Sequence, residues 1–126
     1  MSTILVIDDT QLDREAVSRL LEFEGFQTLK ASNGKDAFAT LYQQVPDLIL
    51  LDLMMPEMDG LAFLRQLRHS TLWADMPVIV MTGSDDEKMI QRAEELHISE
   101  LIPKARFGVT DLIERLKRHL PAPCQS

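Results

Sequence analysis

The sequence predicts a single doubly wound α/β domain, a five-stranded parallel sheet with helices on both faces. Three short runs, Ile4–Ile7, Leu48–Leu51 and Val78–Met81, are apolar at every position, as strands are when both faces of a parallel sheet are covered. Between the strands the apolar residues recur at helical spacing, so strand and helix alternate along the chain. Each run also stops at residues that carry chemistry: Asp8 and Asp9, Asp52, and Thr82.

The first strand is read as Thr3 to Ile7. Thr10 is placed to cap the helix that follows, whose stripe is Leu12, Ala16, Val17, Leu20 and Leu21 and whose end is marked by Gly25. Phe26 to Lys30 gives a second, less apolar strand, Asn33-Gly34 a turn, and Ala37, Leu41 and Tyr42 the inner stripe of a helix that stops before Pro46. The central segment, Asp47 to Gly60, delivers one carboxylate, Asp52, at the mouth of a buried strand. Pro56 then stiffens the loop, and Asp59-Gly60 opens the third helix. Leu61, Leu64 and Leu67 line that helix, Arg65 and Arg68 occupy its outer face, and Trp73 falls in a loop. After the fourth strand, Gly83 leaves room for close approach, and Ser84 with Glu87 has the spacing of a capping box for a helix to Leu96. Leu101 and Ile102 form the last strand before Pro103-Lys104. Leu112, Ile113, Leu116 and Leu120 form the stripe of the fifth helix, ended by Pro121.

With 126 residues the chain is large enough for one core and too short for two, so a domain over residues 1–120 and a tail over 121–126 are expected. No apolar run is long enough to span a membrane, and no basic segment or cleavage site precedes the first strand; a soluble, cytoplasmic protein is the expectation. Cys124, the single cysteine, has no internal partner for a disulfide. A net charge of −7 argues against direct nucleic-acid binding and suits a domain that gathers acids around a cation.

Parallel neighbours need crossover connections, and the expected strand order is 2-1-3-4-5, a flavodoxin-like arrangement. That order sets the first and third strands side by side at the switch point, where Asp8, Asp9 and Asp52 converge. Three carboxylates so close repel one another, and a hard divalent cation relieves this. Mg²⁺ takes oxygen ligands, keeps several waters and often shares its site with a phosphate. Asp9 and Asp52 are the expected direct ligands, with Asp8 holding a metal-bound water and the backbone carbonyl of Met54 completing the protein's share. Thr82 adds a hydroxyl and Lys104 an ammonium at the neighbouring strand ends. A carboxylate nucleophile, a metal, a hydroxyl and an ammonium are the parts needed to accept a phosphoryl group as an aspartyl phosphate. Taken singly, each also reads blandly, as a solvated loop, a helix cap or a surface charge.

Together these residues resemble the response-regulator receiver domain, the phospho-acceptor module of two-component signalling, in a single-domain form like the chemotaxis regulators. The resemblance covers essentially the whole chain and rests on Asp8-Asp9, the segment LLDLMMPEMDG around Asp52, Thr82 and Lys104, each in register at its strand end. It implies that Asp52 takes a phosphoryl group from a histidine kinase, a histidine phosphotransfer protein or a small phosphodonor. Thr82 and Lys104 would then hold phosphoryl oxygens, and the surface of the last two helices would change for a downstream protein partner. It also implies a switch that phosphorylates and dephosphorylates itself and turns over no external substrate.

The chain departs from the family pattern in three places. Leu101 stands where an aromatic residue usually lies, and Ala105 follows Lys104 where a proline usually forms a cis bond, so a trans bond and a rearranged loop through Arg106 and Phe107 are expected. Met54 offers no group to orient water, so slow loss of the phosphoryl group is expected. His69, His97 and His119 are expected to be exposed, and the basic residues Arg106, Arg115, Lys117 and Arg118 to favour the last helix's dipole more than to form a partner patch. Two other functions compete. One is a receiver-like scaffold not regulated by phosphorylation. The other is a Mg²⁺-dependent phosphohydrolase resembling the haloacid-dehalogenase group, against which stands a first strand ending Asp8-Asp9-Thr10 rather than in Asp-x-Asp.

Overall fold

Residues 2–53, 60–83, 87–103 and 108–120 are described by the computed structural model. The apolar runs form strands β1 (Thr3–Ile7), β3 (Leu48–Asp52) and β4 (Val78–Thr82), joined by the more polar β2 (Gln27–Ala31) and β5 (Glu100–Pro103). All pairings are parallel and the order is β2-β1-β3-β4-β5, as the alternation of elements requires. Every residue of β1, β3 and β4 is buried, which is why those three strands show no polar face in sequence.

The pleat sorts side chains into two cores. Ile4, Val6, Leu48, Leu50, Ile79 and Met81 pack with Leu21 of helix α1 (Gln11–Phe23) and with Leu112, Ile113 and Leu116 of α5 (Val109–His119). Leu5, Ile7, Ile49, Leu51, Val78 and Val80 pack on the other face with Ala37 and Leu41 of α2 (Gly34–Gln43), Leu61, Phe63, Leu64 and Leu67 of α3 (Gly60–His69) and Ala93 of α4 (Glu87–Glu95).

Several local expectations are corrected. Thr10 occupies the N-cap of α1 but its side chain makes no capping bond. Leu12 is 78% exposed and Ala16 is exposed too, so the buried stripe of α1 begins later than its apolar spacing suggests. Asn33 is a helix cap rather than a turn residue: its Oδ1 accepts from the Asp36 amide at 2.8 Å. Tyr42 is 74% exposed and lies edge-on against Trp73, with ring centres 5.0 Å apart. Gly25 does take the left-handed backbone that ends α1, at φ 97°.

Arg68 does not sit idle on an outer face. Its guanidinium crosses to two loops, donating through Nε to the carbonyl of Leu96 at 2.7 Å, through Nη2 to that of His97 at 3.0 Å, and through Nη1 to those of Ala74 and Met76 at 3.0 and 2.8 Å. Leu96 and His97 follow the last turn of α4, and His97 leaves the helix through a left-handed backbone at φ 59°. Arg68 therefore satisfies carbonyls that the end of α4 cannot pair internally. Burial holds this guanidinium below its ordinary pKa, and the charge of Asp75 opposes the shift.

Candidate functional site

The sheet register assembles the site. Ile7 pairs with Leu51 and Asp52 with Met81, so one further step along β1 sets Asp8 beside Asp52 on the adjacent strand. Alternation puts Asp8 in the row of Ile4 and Val6 and Asp52 in the row of Leu48 and Leu50, on the same face. Thr82 closes β4 one residue beyond the partner of Asp52, in the row of Val78 and Val80, so it reaches the shared edge from the other core.

Asp8, Asp52 and Thr82 are 4%, 5% and 3% exposed, whereas Asp9 is exposed. Each of the three aspartates offers a carboxylate oxygen, and these oxygens all lie within 4.8 Å of one another. A donor set made only of carboxylate oxygens, part buried and part open to solvent, suits a hard divalent cation that keeps waters and excludes the soft metals that seek thiolates. The convergence expected of Asp8, Asp9 and Asp52 is thus met in the fold. Met54, Ser84, Lys104, Ala105, Arg106, Phe107, Pro56, Asp59 and the tail lie outside the described residues.

The turn that carries Asp8 is tied at three points. Its amide donates to the carbonyl of Ala31 at the end of β2 at 3.1 Å. Its Oδ1 accepts from the amide of Thr10 at 3.0 Å, which fixes the rotation of the carboxylate. Its carbonyl accepts from Nη1 of Arg14 at 2.8 Å. Arg14 went unnoticed in the sequence because a contact six residues back along the chain matches no helical or strand spacing.

Gly60 also belongs to the site. Its amide donates to the carbonyl of Leu53 at 3.1 Å, just past the acceptor strand. A Cβ there would lie 2.6 Å from the Leu53 Cα and 3.0 Å from the Asp52 carbonyl oxygen, so only glycine lets α3 start this close to Asp52. Gly83, which the sequence suggested for close approach, has nothing within 4 Å of a Cβ among the described residues.

The basic end of α5 is organised by an acid. Glu100 on β5 accepts Arg118 at 3.3 Å, faces Arg115 at 3.5 Å and has His119 Nε2 2.9 Å from its Oε2. His119 is therefore half-buried rather than exposed, while His69 and His97 are exposed as expected. Leu101 packs half-buried against the α2/α3/α4 core.

The profile of the response regulator receiver domain matches residues 4–117. The phosphate regulon transcriptional regulatory protein PhoB of Pseudomonas aeruginosa is 36% identical over 91% of this chain and 50% of the relative. The sporulation initiation phosphotransferase F of Bacillus subtilis is 32% identical over 94% of this chain and 93% of its own length. The chain spans about half the length of several curated relatives it matches. Among solved structures, the signal receiver domain of a signal transduction histidine kinase from Syntrophus aciditrophicus superposes with a TM-score of 0.88 at 32% identity, covering 100% of this chain and 95% of that one. The chemotaxis protein CheY4 of Vibrio cholerae gives 0.87 at 26% identity, covering 95% and 99%.

Proposed function

The chain belongs to the response regulator receiver family, and on that premise we propose that Asp52 is the residue that accepts the phosphoryl group. It is a receiver domain of two-component signalling, a switch rather than a conventional enzyme. The observation that carries the proposal is the meeting of the Asp8, Asp9 and Asp52 carboxylate oxygens within 4.8 Å at the edge where Thr82 also ends its strand.

Transfer from a phosphohistidine breaks its P–N bond and forms a P–O bond to a carboxylate oxygen of Asp52, and the departing imidazole takes up a proton. Asp9, Asp52 and the Met54 carbonyl would hold a Mg²⁺ ion, with Asp8 acting through a water, and the ion would supply the positive charge that an anionic carboxylate needs to meet an anionic phosphoryl group. Thr82 donates its hydroxyl to one phosphoryl oxygen and Lys104 pairs its ammonium with another. β1 and β4 flank β3 and hold on both sides the strand that carries Asp52. The domain catalyses its own phosphorylation and dephosphorylation and turns over no external substrate.

The phosphodonor is a histidine kinase, a histidine phosphotransfer protein or a small acyl phosphate, and the output is a changed surface for a downstream protein. The receiver unit is residues 1–120, with 121–126 as a tail. A cytoplasmic setting is part of this reading, as the family's exchange of phosphoryl groups with histidine kinases suggests; among the described residues no helix is long and apolar enough to cross a membrane. The net charge of −7 favours a protein partner over direct nucleic-acid contact.

Intact mass after incubation with acetyl phosphate and Mg²⁺ tests this reading. One phosphoryl group adds about 80 Da, and the gain should vanish in Asp52→Asn and on chelation of the metal. A gain that survives Asp52→Asn would assign the acceptor elsewhere. No gain even with a histidine kinase supplied would leave a scaffold that works without phosphorylation.

A further inference from the structure

We propose that Arg14 is a positioning residue for the divalent-cation site, acting through the backbone of Asp8. The inference rests on the phospho-acceptor reading above and concerns how that site is held in shape.

Only Asp8, Asp9 and Thr10 separate β1 from α1, and this turn presents two of the three clustered carboxylates. Helix α1 begins without help from its N-cap side chain, since Thr10 makes no capping bond. Its first backbone bond joins the Arg14 amide to the Thr10 carbonyl at 2.9 Å. The Arg14 side chain then reaches back over that turn and donates to the Asp8 carbonyl at 2.8 Å. Arg14 thus grips both ends of the turn, with its main chain on Thr10 and its side chain on Asp8. Asp9 lies between the two gripped residues, and its exposed carboxylate takes its place from them.

The bond to Asp8 fixes the peptide plane between Asp8 and Asp9, which sets the backbone from which Asp9 projects and the place of the Thr10 amide that holds the Asp8 carboxylate. A planar guanidinium with several donors in fixed directions suits that task better than a flexible ammonium. Its charge works the other way, because a cation beside a metal site repels the metal. The two roles therefore predict opposite outcomes for one substitution. If Arg14 positions the turn, Arg14→Ala weakens cation binding. If it acts only as a nearby charge, the same change strengthens it.

Calorimetric titration of the full chain with Mg²⁺, in the absence of any phosphodonor, decides between them. Arg14→Ala should raise the Mg²⁺ Kd roughly tenfold, the size of effect seen when a partner that orients a metal ligand is lost. Arg14→Lys keeps the charge and one donor, and should fall between the two. Thermal unfolding in chelator, for both variants, checks that the metal-free fold persists. A Kd that is unchanged or lower in Arg14→Ala, with the native chain binding normally, would overturn the proposal. Failure of the native chain to bind Mg²⁺ would instead overturn the phospho-acceptor reading, and the role of Arg14 with it.

Discussion

Replacing Arg68 with alanine should cost about 3 kcal/mol of folding stability, and the figure follows from where its four hydrogen bonds lie. The bonds to Leu96 and Met76 are part-buried, at 2.7 and 2.8 Å, and the bonds to Ala74 and His97 are exposed, at 3.0 Å each. Water can replace the exposed pair, so those contribute little. The part-buried carbonyls lose a charged donor, at about 1.5 kcal/mol or more apiece. Burial of the guanidinium is itself unfavourable, as its lowered pKa reflects, and that desolvation keeps the total near the low end. Urea unfolding followed by far-ultraviolet circular dichroism would give the difference. Arg68→Lys should recover only part of it, because one ammonium cannot reach carbonyls in two loops along fixed directions. Hydrogen exchange should show the largest loss of protection at the end of α4 and in the segment around Ala74 to Met76. A loss below about 1 kcal/mol would mean that the clamp is a surface contact that solvent replaces at no cost.

Five further substitutions probe the elements around the acceptor and the helix caps. Gly60→Ala should destabilise the chain by about 1–3 kcal/mol on urea unfolding, since a Cβ 2.6 Å from a backbone atom cannot be relieved by turning a side chain. Gly83→Ala, with open space around it among the described residues, is the matched control and should cost far less. Asn33→Ala should lose about 1 kcal/mol with the cap of α2, while Thr10→Ala should change stability by less than about 0.5 kcal/mol because no capping bond exists to remove. Met54→Asn should shorten the lifetime of the phosphorylated form, read by loss of the added mass over time; an unchanged lifetime would reject a role for that position in admitting water.

The strands and their order were legible because the central three are buried on both faces and the connections leave few topologies. The clustered aspartates were legible for a related reason: each marks the point where an apolar run meets solvent, and the parallel order brings those points together. What failed was local. The apolar spacing of α1 and α2 includes Leu12 and Tyr42, yet the fold leaves both mostly exposed, because apolar spacing marks a helix face without saying how far along the helix that face is covered. Glycine has several uses, and sequence alone could not tell Gly60, pressed against the end of β3, from Gly83, which has nothing close to it among the described residues. Side-chain bonds to backbone carbonyls, such as those of Arg68 to two loops and of Arg14 to Asp8, leave no periodic trace. They depend on where the fold carries a backbone carbonyl.

Trp73 has an optical consequence. It is the chain's sole tryptophan, 6% exposed, with Phe38 at 6.0 Å and Tyr42 at 5.0 Å between ring centres. It lies in the connection from α3 to β4, at the amino ends of the strands, whereas the aspartates lie at the carboxyl ends. Its emission is therefore a gauge of whether the aromatic cluster is assembled, and it carries no direct signal from charge arriving at the opposite edge. Fluorescence of the native chain will follow unfolding faithfully and cation binding poorly. An indole placed beside Asp52 would be needed to make the switch visible in the same cuvette.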